Sequence, residues 1–137
     1  FRFARSRGLH LVAHAGETMG PESVWGALKL GVERIGHGIR AAEDRALLDH
    51  LREQDIPLEI CISSNVATGA VPNLAAHPVR RLFEAGVPLV IATDDPGMFR
   101  TMLTREYELL RDQFGFTEED LRGLAENSFR YAFAAGT

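Results

Sequence analysis

VIATDDP, from Val90 to Pro96, is a short apolar run that ends on two adjacent acids, Asp94 and Asp95. The apolar and small residues at its start are typical of a buried β-strand. Two like charges at the tip of such a strand cost free energy unless a positive group meets them. The stretch therefore predicts a strand and, at its carboxyl end, a site for a cation.

Three similar apolar runs precede this one, namely LHLVAH (9–14), VERIGHG (32–38) and PLEICIS (57–63). Helical patterns separate the runs, and two further helices, in MLTREYELLRDQFG and DLRGLAENSFRYAF, close the chain. Thr117 is the predicted N-cap of the last helix. Strands that alternate with helices in this way predict βα units and a parallel sheet.

Four βα units amount to half of a (β/α)8 TIM barrel, whose usual length is about 250 residues. No linker or low-complexity segment divides the chain, so we expect a single α/β domain over residues 1–137. The alternative is a small open doubly wound sheet, but the Gly-x-Gly-x-x-Gly turn of that fold is missing. The segment SNVATGAVPNLAAH (64–77) predicts a long loop after the third strand.

The composition narrows the classes of function. The 137 residues carry a net charge of −4, so phosphate electrostatics do not favour nucleic acid as a partner. No apolar run approaches the roughly 20 residues that span a bilayer, so we expect no membrane partner either. The single cysteine, Cys61, excludes an internal disulfide framework and favours a reducing, cytoplasmic setting.

Polar side chains follow all four predicted strands. The first run leads into His14 and Glu17, the second delivers His37 between two glycines, the third ends in Ser63, Ser64 and Asn65, and the fourth ends in Asp94 and Asp95. Because the carboxyl ends of parallel strands meet at one edge of a sheet or barrel, we expect these groups to converge.

The chemistry of the converging set is that of a metal-dependent hydrolase. His14 and Asp94 are metal ligands by type, and a divalent cation would be the positive partner of the acid pair. Glu17 can approach a metal-bound water or a substrate, and His37 can orient or deprotonate that water. A bound Zn²⁺ lowers the pKa of its water from 15.7 to about 7, which makes a nucleophile at neutral pH.

Three motifs, HAGE (14–17), RIGHG (34–38) and TDDP (93–96), occur in this order. Together they resemble the adenosine deaminase family of metal-dependent amidohydrolases, hydrolases that act on cyclic amidines. FGFTEEDLRGLAENS is similar to the C-terminal segment of that family. The resemblance implies the C-terminal half of a (β/α)8 barrel, a zinc cofactor, and hydrolytic release of ammonia from the 6-amino group of adenosine or a related nucleoside.

The resemblance also assigns roles to individual residues. It implies that His14 and Asp94 ligate zinc and that Glu17 protonates the purine ring nitrogen beside the amino-bearing carbon. It further implies that His37 holds and activates the zinc-bound hydroxide. Asp95 is implied to hydrogen-bond the five-membered ring of the purine. Of the two adjacent acids, Asp94 would thus bind the metal and Asp95 the substrate.

Two departures from the family pattern stand out. The His-x-His pair of the first family strand, which supplies two further zinc ligands, is missing here. We therefore expect the N-terminal half to belong to the natural protein and this chain alone to hold zinc poorly. In CISSN, Ile62 stands where family members often have proline, but it replaces no catalytic group.

Several alternatives stay open. GETMGPESVW and SNVATGAV are similar to bacterial members that act on aminodeoxyfutalosine, an adenosine derivative of menaquinone biosynthesis. Another amidohydrolase activity, on cyclic amides or phosphoesters, and a non-catalytic half-barrel interaction module are the other hypotheses. Outside the motifs, we expect Ser64 and Asn65 to shape a turn, His77 to begin a helix and Cys61 to be buried and inert.

Overall fold

Four short strands form one parallel sheet, in which each strand pairs with its neighbour in the sequence. The computed structural model describes residues 1–133 and places the strands at β1 Val12–Ala15, β2 Arg34–His37, β3 Leu58–Ile60 and β4 Leu89–Ile91. Helices follow every strand. This arrangement confirms the predicted α/β fold, four parallel βα units with closing helices, which is half of a (β/α)8 barrel.

The α-helices of residues 1–133 are α1 Arg2–Ser6, α2 Pro21–Lys29, α3 Arg45–Glu53, α4 Ile62–Ala67, α5 Val79–Glu84, α6 Pro96–Phe99, α7 Leu103–Phe114 and α8 Glu118–Arg130. Two 3-10 helices, Ile39–Glu43 and Leu74–Ala76, lie between them. Within this described part of the chain, no helix combines the length and the apolar character that crossing a bilayer requires.

One face of the sheet is more deeply buried than the other. Side chains on successive strand residues point to opposite faces, and the deeply buried face carries Ile35, Leu58, Ile60, Leu89 and Ile91. The helices pack against this face. The opposite face, with His14, Glu59 and Val90, is exposed or only half-buried. In a (β/α)8 barrel the helices form the outer ring, so the second face corresponds to the barrel interior.

Local sequence signals set several helix ends. Pro21 occupies the first turn of α2, where its missing N–H is not needed, and Gly31, at a φ of +73°, follows the helix. Thr117 caps α8 as predicted, because its side chain accepts from the Asp120 amide and the Asp120 carboxylate accepts from the Thr117 amide.

The segment after the third strand differs from the prediction. We expected a strand up to Ser63 and a loop over 64–77, but β3 ends at Ile60 and α4 begins at Ile62. The apolar run misled the prediction because Ile62 is fully buried in the core from the first turn of a helix. Proline also fits this first-turn position, so the departure at Ile62 leaves the helix start intact.

Candidate active site

His14, on β1, is held against the sheet by a glycine on the neighbouring strand. The register pairs His14 with Gly36 of β2. An added Cβ at Gly36 would lie only 3.0 Å from His14 Cδ2 and 3.2 Å from Cγ. The missing side chain therefore lets the His14 imidazole lie across β2 on the exposed, interior-type face of the sheet.

His37, the last residue of β2, turns its ring toward His14 from a strained backbone. Its φ is +62°, although it is not a glycine, and its side chain is buried. Left-handed backbone costs a non-glycine residue about 1–3 kcal/mol, and such strain clusters at functional sites. The two imidazole centroids lie 5.3 Å apart. One nitrogen of His37, Nδ1, contacts Asn65 Nδ2 at 3.1 Å, which leaves Nε2 to face the site.

Asp94 approaches from the loop after β4 and shares this backbone strain, with a φ of +60°. The hydroxyl of Ser64 donates to Asp94 Oδ2 at 2.7 Å, which orients the carboxylate. Asp95 next to it is exposed and caps α6, since its Oδ1 accepts from the Met98 amide at 2.7 Å.

Glu17 reaches the same place from the turn after β1. The turn is tight: Gly16 has a φ of +64°, and its amide donates to the hydroxyl of Ser23. Glu17 Oε2 lies 3.6 Å from His37 Nε2. Its Oε1 lies 3.4 Å from the Thr68 hydroxyl, which donates its proton to the Ser64 carbonyl at 2.9 Å. The Glu17 side chain is half-buried, so it is open to a substrate.

These side chains converge at the carboxyl end of the sheet. One potential ligand atom each from His14, His37 and Asp94 lies within 4.8 Å of the others, and Glu17 is beside them. His14, His37 and Asp94 border an open cavity of about 250 Å³. Glu17 and His14 border a second cavity of about 140 Å³. Imidazole nitrogen and carboxylate oxygen are the donors that zinc takes in proteins, so the chemistry of the set fits a zinc ion. Asp95 lies next to this cluster rather than in it.

Two neighbouring residues of α4 support the cluster. Both were expected among the converging strand-end groups, but with no role beyond a turn. Ser64 and Asn65, expected to shape a turn, are fully buried and hydrogen-bond Asp94 and His37 respectively. His77, expected only to begin a helix, is buried beside Asn65 at 3.2 Å. The sequence signal for these roles was the polar pair Ser64 and Asn65 directly after an apolar run. The segment is too short for its pattern to predict a helix.

The start of α4 is fixed by a buried acid from α7. Glu106 is fully buried, and its carboxylate accepts from the Ser63 amide at 3.1 Å and from the Thr101 hydroxyl at 2.6 Å. A carboxylate at the first turn of a helix satisfies an amide that has no partner within the helix. Glu106 thereby anchors the helix that presents Ser64 and Asn65.

Cys61 also borders the cavity, but its thiol is not reactive. Burial, and then the charge of Asp94, raise the pKa of Cys61 to about 12. The thiolate is the form that attacks or ligates, so the burial and the raised pKa of Cys61 are in keeping with the expected packing role.

The family model described as "Adenosine deaminase" matches residues 1–136, nearly the whole chain. The chain belongs to the adenosine deaminase family. Adenosine deaminase of Shigella boydii serotype 18 is 46% identical over 134 residues, a match that covers 97% of this chain and 40% of that enzyme. This member of the family thus spans about 40% of the length of the curated relatives it matches.

Solved structures give the same result for this deaminase-family chain. Adenine deaminase from Arthrobacter aurescens superimposes with a TM-score of 0.93 at 36% identity, covering 98% of this chain and 41% of that one. An amidohydrolase from Burkholderia ambifaria with bound Zn superimposes with a TM-score of 0.89 at 29% identity, covering 98% and 38%. The family resemblance stated from the motifs is confirmed.

Proposed function

We propose that the full polypeptide is a zinc-dependent hydrolase that removes the 6-amino group of adenosine or a related adenine nucleoside as ammonia, with water as co-substrate. One observation carries the proposal: ligand atoms of His14, His37 and Asp94 lie within 4.8 Å of one another. Glu17 is 3.6 Å from His37 in the same site. Family membership supports deamination of an adenine-type substrate.

His14 and Asp94 would hold the zinc ion. Their imidazole and carboxylate fit that metal, and the Burkholderia relative has zinc bound. Catalytic zinc sites have three protein ligands, so we infer that further histidines come from outside this chain, which spans about 40% of its relatives. When bound, zinc supplies Lewis-acid chemistry that makes water nucleophilic at neutral pH.

Glu17 would act as the proton donor. Attack at the amino-bearing carbon of a purine needs that carbon to be electrophilic, and protonating the adjacent ring nitrogen makes it so. The Glu17 side chain is half-buried, lies 3.6 Å from His37, and borders a cavity together with His14. A carboxylic acid placed this way can transfer a proton to a bound ring.

His37 and Asp95 would position the two reactants. His37 is buried and immobilised by Asn65, so Nε2 can hold the attacking water at a fixed angle to the purine. Asp95 uses Oδ1 to cap α6. Its second carboxylate oxygen remains available to accept a hydrogen bond from the five-membered ring of the substrate.

The test is ammonia release by the zinc-loaded full polypeptide from adenosine, adenine and 5′-modified adenosines. We expect turnover of at least one of these compounds, and a Glu17→Gln loss in kcat of about 10²–10⁴-fold with zinc content unchanged. Glu84→Gln is the matched control, since Glu84 is exposed on α5 and, within residues 1–133, forms its ion pair with Arg80. Absence of ammonia from every adenine compound, with zinc fully loaded, would overturn the proposal.

A further inference from the structure

The two ring nitrogens of His37 face different surroundings. Nε2 lies 3.6 Å from the Glu17 carboxylate in the site, whereas Nδ1 contacts the buried Asn65 amide at 3.1 Å. A neutral imidazole carries its proton on one nitrogen only. Which tautomer is present decides whether His37 offers an N–H or a lone pair to the site, and the hydrogen bonds behind it settle that question.

A backbone amide sets the direction of those hydrogen bonds. The Val79 N–H contacts His77 Nδ1 at 3.1 Å, and a backbone N–H can only donate. His77 Nδ1 must therefore accept, which puts the proton of His77 on Nε2. Burial lowers the pKa of His77 from its ordinary value of 6.5 to about 4, in keeping with a neutral ring. His77 Nε2–H then donates to Asn65 Oδ1, 3.2 Å away.

The orientation of the Asn65 side-chain amide determines which group of Asn65 faces His37. With Oδ1 accepting from His77, the NH₂ group of Asn65 faces His37 Nδ1 at 3.1 Å and must donate to it. A flipped Asn65 amide would set its NH₂ against the Nε2–H of His77, which is two donors facing each other in a buried place. The four groups thus form a one-way chain: Val79 to His77 to Asn65 to His37.

We infer that Asn65 and His77 are positioning residues that lock His37 in the tautomer with its proton on Nε2. His37 then presents an N–H, and not a lone pair, to the cavity. The consequence rests on the proposed function: His37 serves the reaction by donating a hydrogen bond to the attacking water, and it does not ligate the metal through Nε2 although it lies within ligand distance of His14 and Asp94.

The first test reads the tautomer directly and needs no turnover. Long-range ¹H–¹⁵N spectra of the zinc-loaded full polypeptide, with ¹⁵N-labelled histidine, distinguish protonated from unprotonated ring nitrogens. The His37 signals are assigned by their loss in His37→Gln. We expect a protonated Nε2 and an unprotonated Nδ1 in the unmodified protein. A protonated Nδ1 on His37 would overturn the inference.

Variants separate positioning from a merely structural role. Asn65→Asp offers only acceptors, so we expect the His37 proton to move to Nδ1 and kcat to fall about 10–100-fold, with KM changed less. His77→Gln keeps a donor toward Asn65 and should retain the tautomer and restore most of kcat relative to His77→Phe. His10→Gln, at an exposed histidine that contacts Glu33, is the matched control and should change neither.

An unchanged His37 tautomer in Asn65→Asp would contradict the inference. If Asn65→Asp does not fold, the spectrum of the unmodified protein still decides the matter. The tautomer measurement and the test of the proposed function can fail independently. Failure of all adenine compounds would remove the proposed reaction and leave the tautomer measurement standing, whereas the wrong tautomer in an active deaminase would remove the positioning role alone.

Discussion

Replacing Gly36 by alanine is the sharpest structural perturbation of the site. The added Cβ would lie 3.0, 3.2 and 3.3 Å from Cδ2, Cγ and Nε2 of His14. Non-bonded carbon atoms favour separations of about 3.5–4.0 Å, so the His14 ring must move by roughly 0.5 Å. The backbone of Gly36 has no left-handed φ, so alanine meets no conformational strain there.

Because the His14 ring must move, we expect Gly36→Ala to lower zinc affinity more than it lowers the free energy of unfolding. Zinc–ligand distances tolerate only about 0.2 Å, and changes that disturb a ligand's support cost about 10–100-fold in metal affinity. We expect a loss of zinc affinity in that range for Gly36→Ala. Crowding the core costs about 1–3 kcal/mol, and the lower backbone entropy of alanine in the unfolded chain offsets about 0.4–1 kcal/mol of it.

The assay is zinc competition against a chelator on the full polypeptide, with chemical denaturation beside it. Gly26→Ala is the matched control: Gly26 is a helical residue of α2 with open space around it. It should gain up to about 1 kcal/mol in the free energy of unfolding and leave zinc affinity unchanged. Wild-type zinc affinity in Gly36→Ala would refute the reasoning that β2 holds the His14 ring.

Three further predictions concern the hydrogen bond to Asp94, the buried His77 and the cap of α8. Ser64→Ala removes the 2.7 Å hydrogen bond to Asp94, so zinc affinity in the same competition assay should fall about 10-fold. Ser63→Ala removes a hydroxyl that donates to Thr101 at 3.4 Å and not to Asp94, so zinc affinity should stay unchanged. Equal effects of the two variants would contradict the assignment. The native pKa of His77 is about 4 against 6.5 in the unfolded chain, so the unfolded chain binds more protons between these values. Up to about 3 kcal/mol of stability should be present above pH 6.5 and be lost as the pH falls to 4. Urea denaturation checks this, and an equally steep loss in His77→Gln would contradict it. Thr117→Ala should cost about 1 kcal/mol through the lost cap of α8, whereas Thr117→Ser should be neutral, and no loss of urea stability in the alanine variant would contradict the capping role.

The side chains of the candidate site could be predicted because each lies at or just after the end of an apolar run. A parallel sheet brings all such ends together, so the sequence alone predicts that His14, His37 and Asp94 lie at one site. The apolar character of the runs also predicted the four strands, since the sheet face under the helices needs apolar side chains such as Ile35, Leu58 and Ile91.

The supporting roles of Ser64 and Asn65 could not be predicted from the sequence, and the reason is physical. The helix α4 is only six residues long, and its start is held by Glu106, which is 43 residues further along the chain than Ser63. Isolated helices of this length are unstable, so tertiary contacts decide whether the segment is helical. Once α4 forms, Ser64 hydrogen-bonds Asp94 and Asn65 contacts His37, and no local pattern reveals those partners.

Anomalous diffraction at the zinc absorption edge would test directly whether the strand-end residues surround one ion. Crystals of the full polypeptide with a bound, non-reacting purine nucleoside should show a zinc peak about 2.0–2.2 Å from a His14 nitrogen and an Asp94 oxygen. Glu17 should contact the purine ring nitrogen, and His37 should lie near the ion without ligating it. A zinc peak away from His14 and Asp94, or a purine bound elsewhere, would contradict the proposed site.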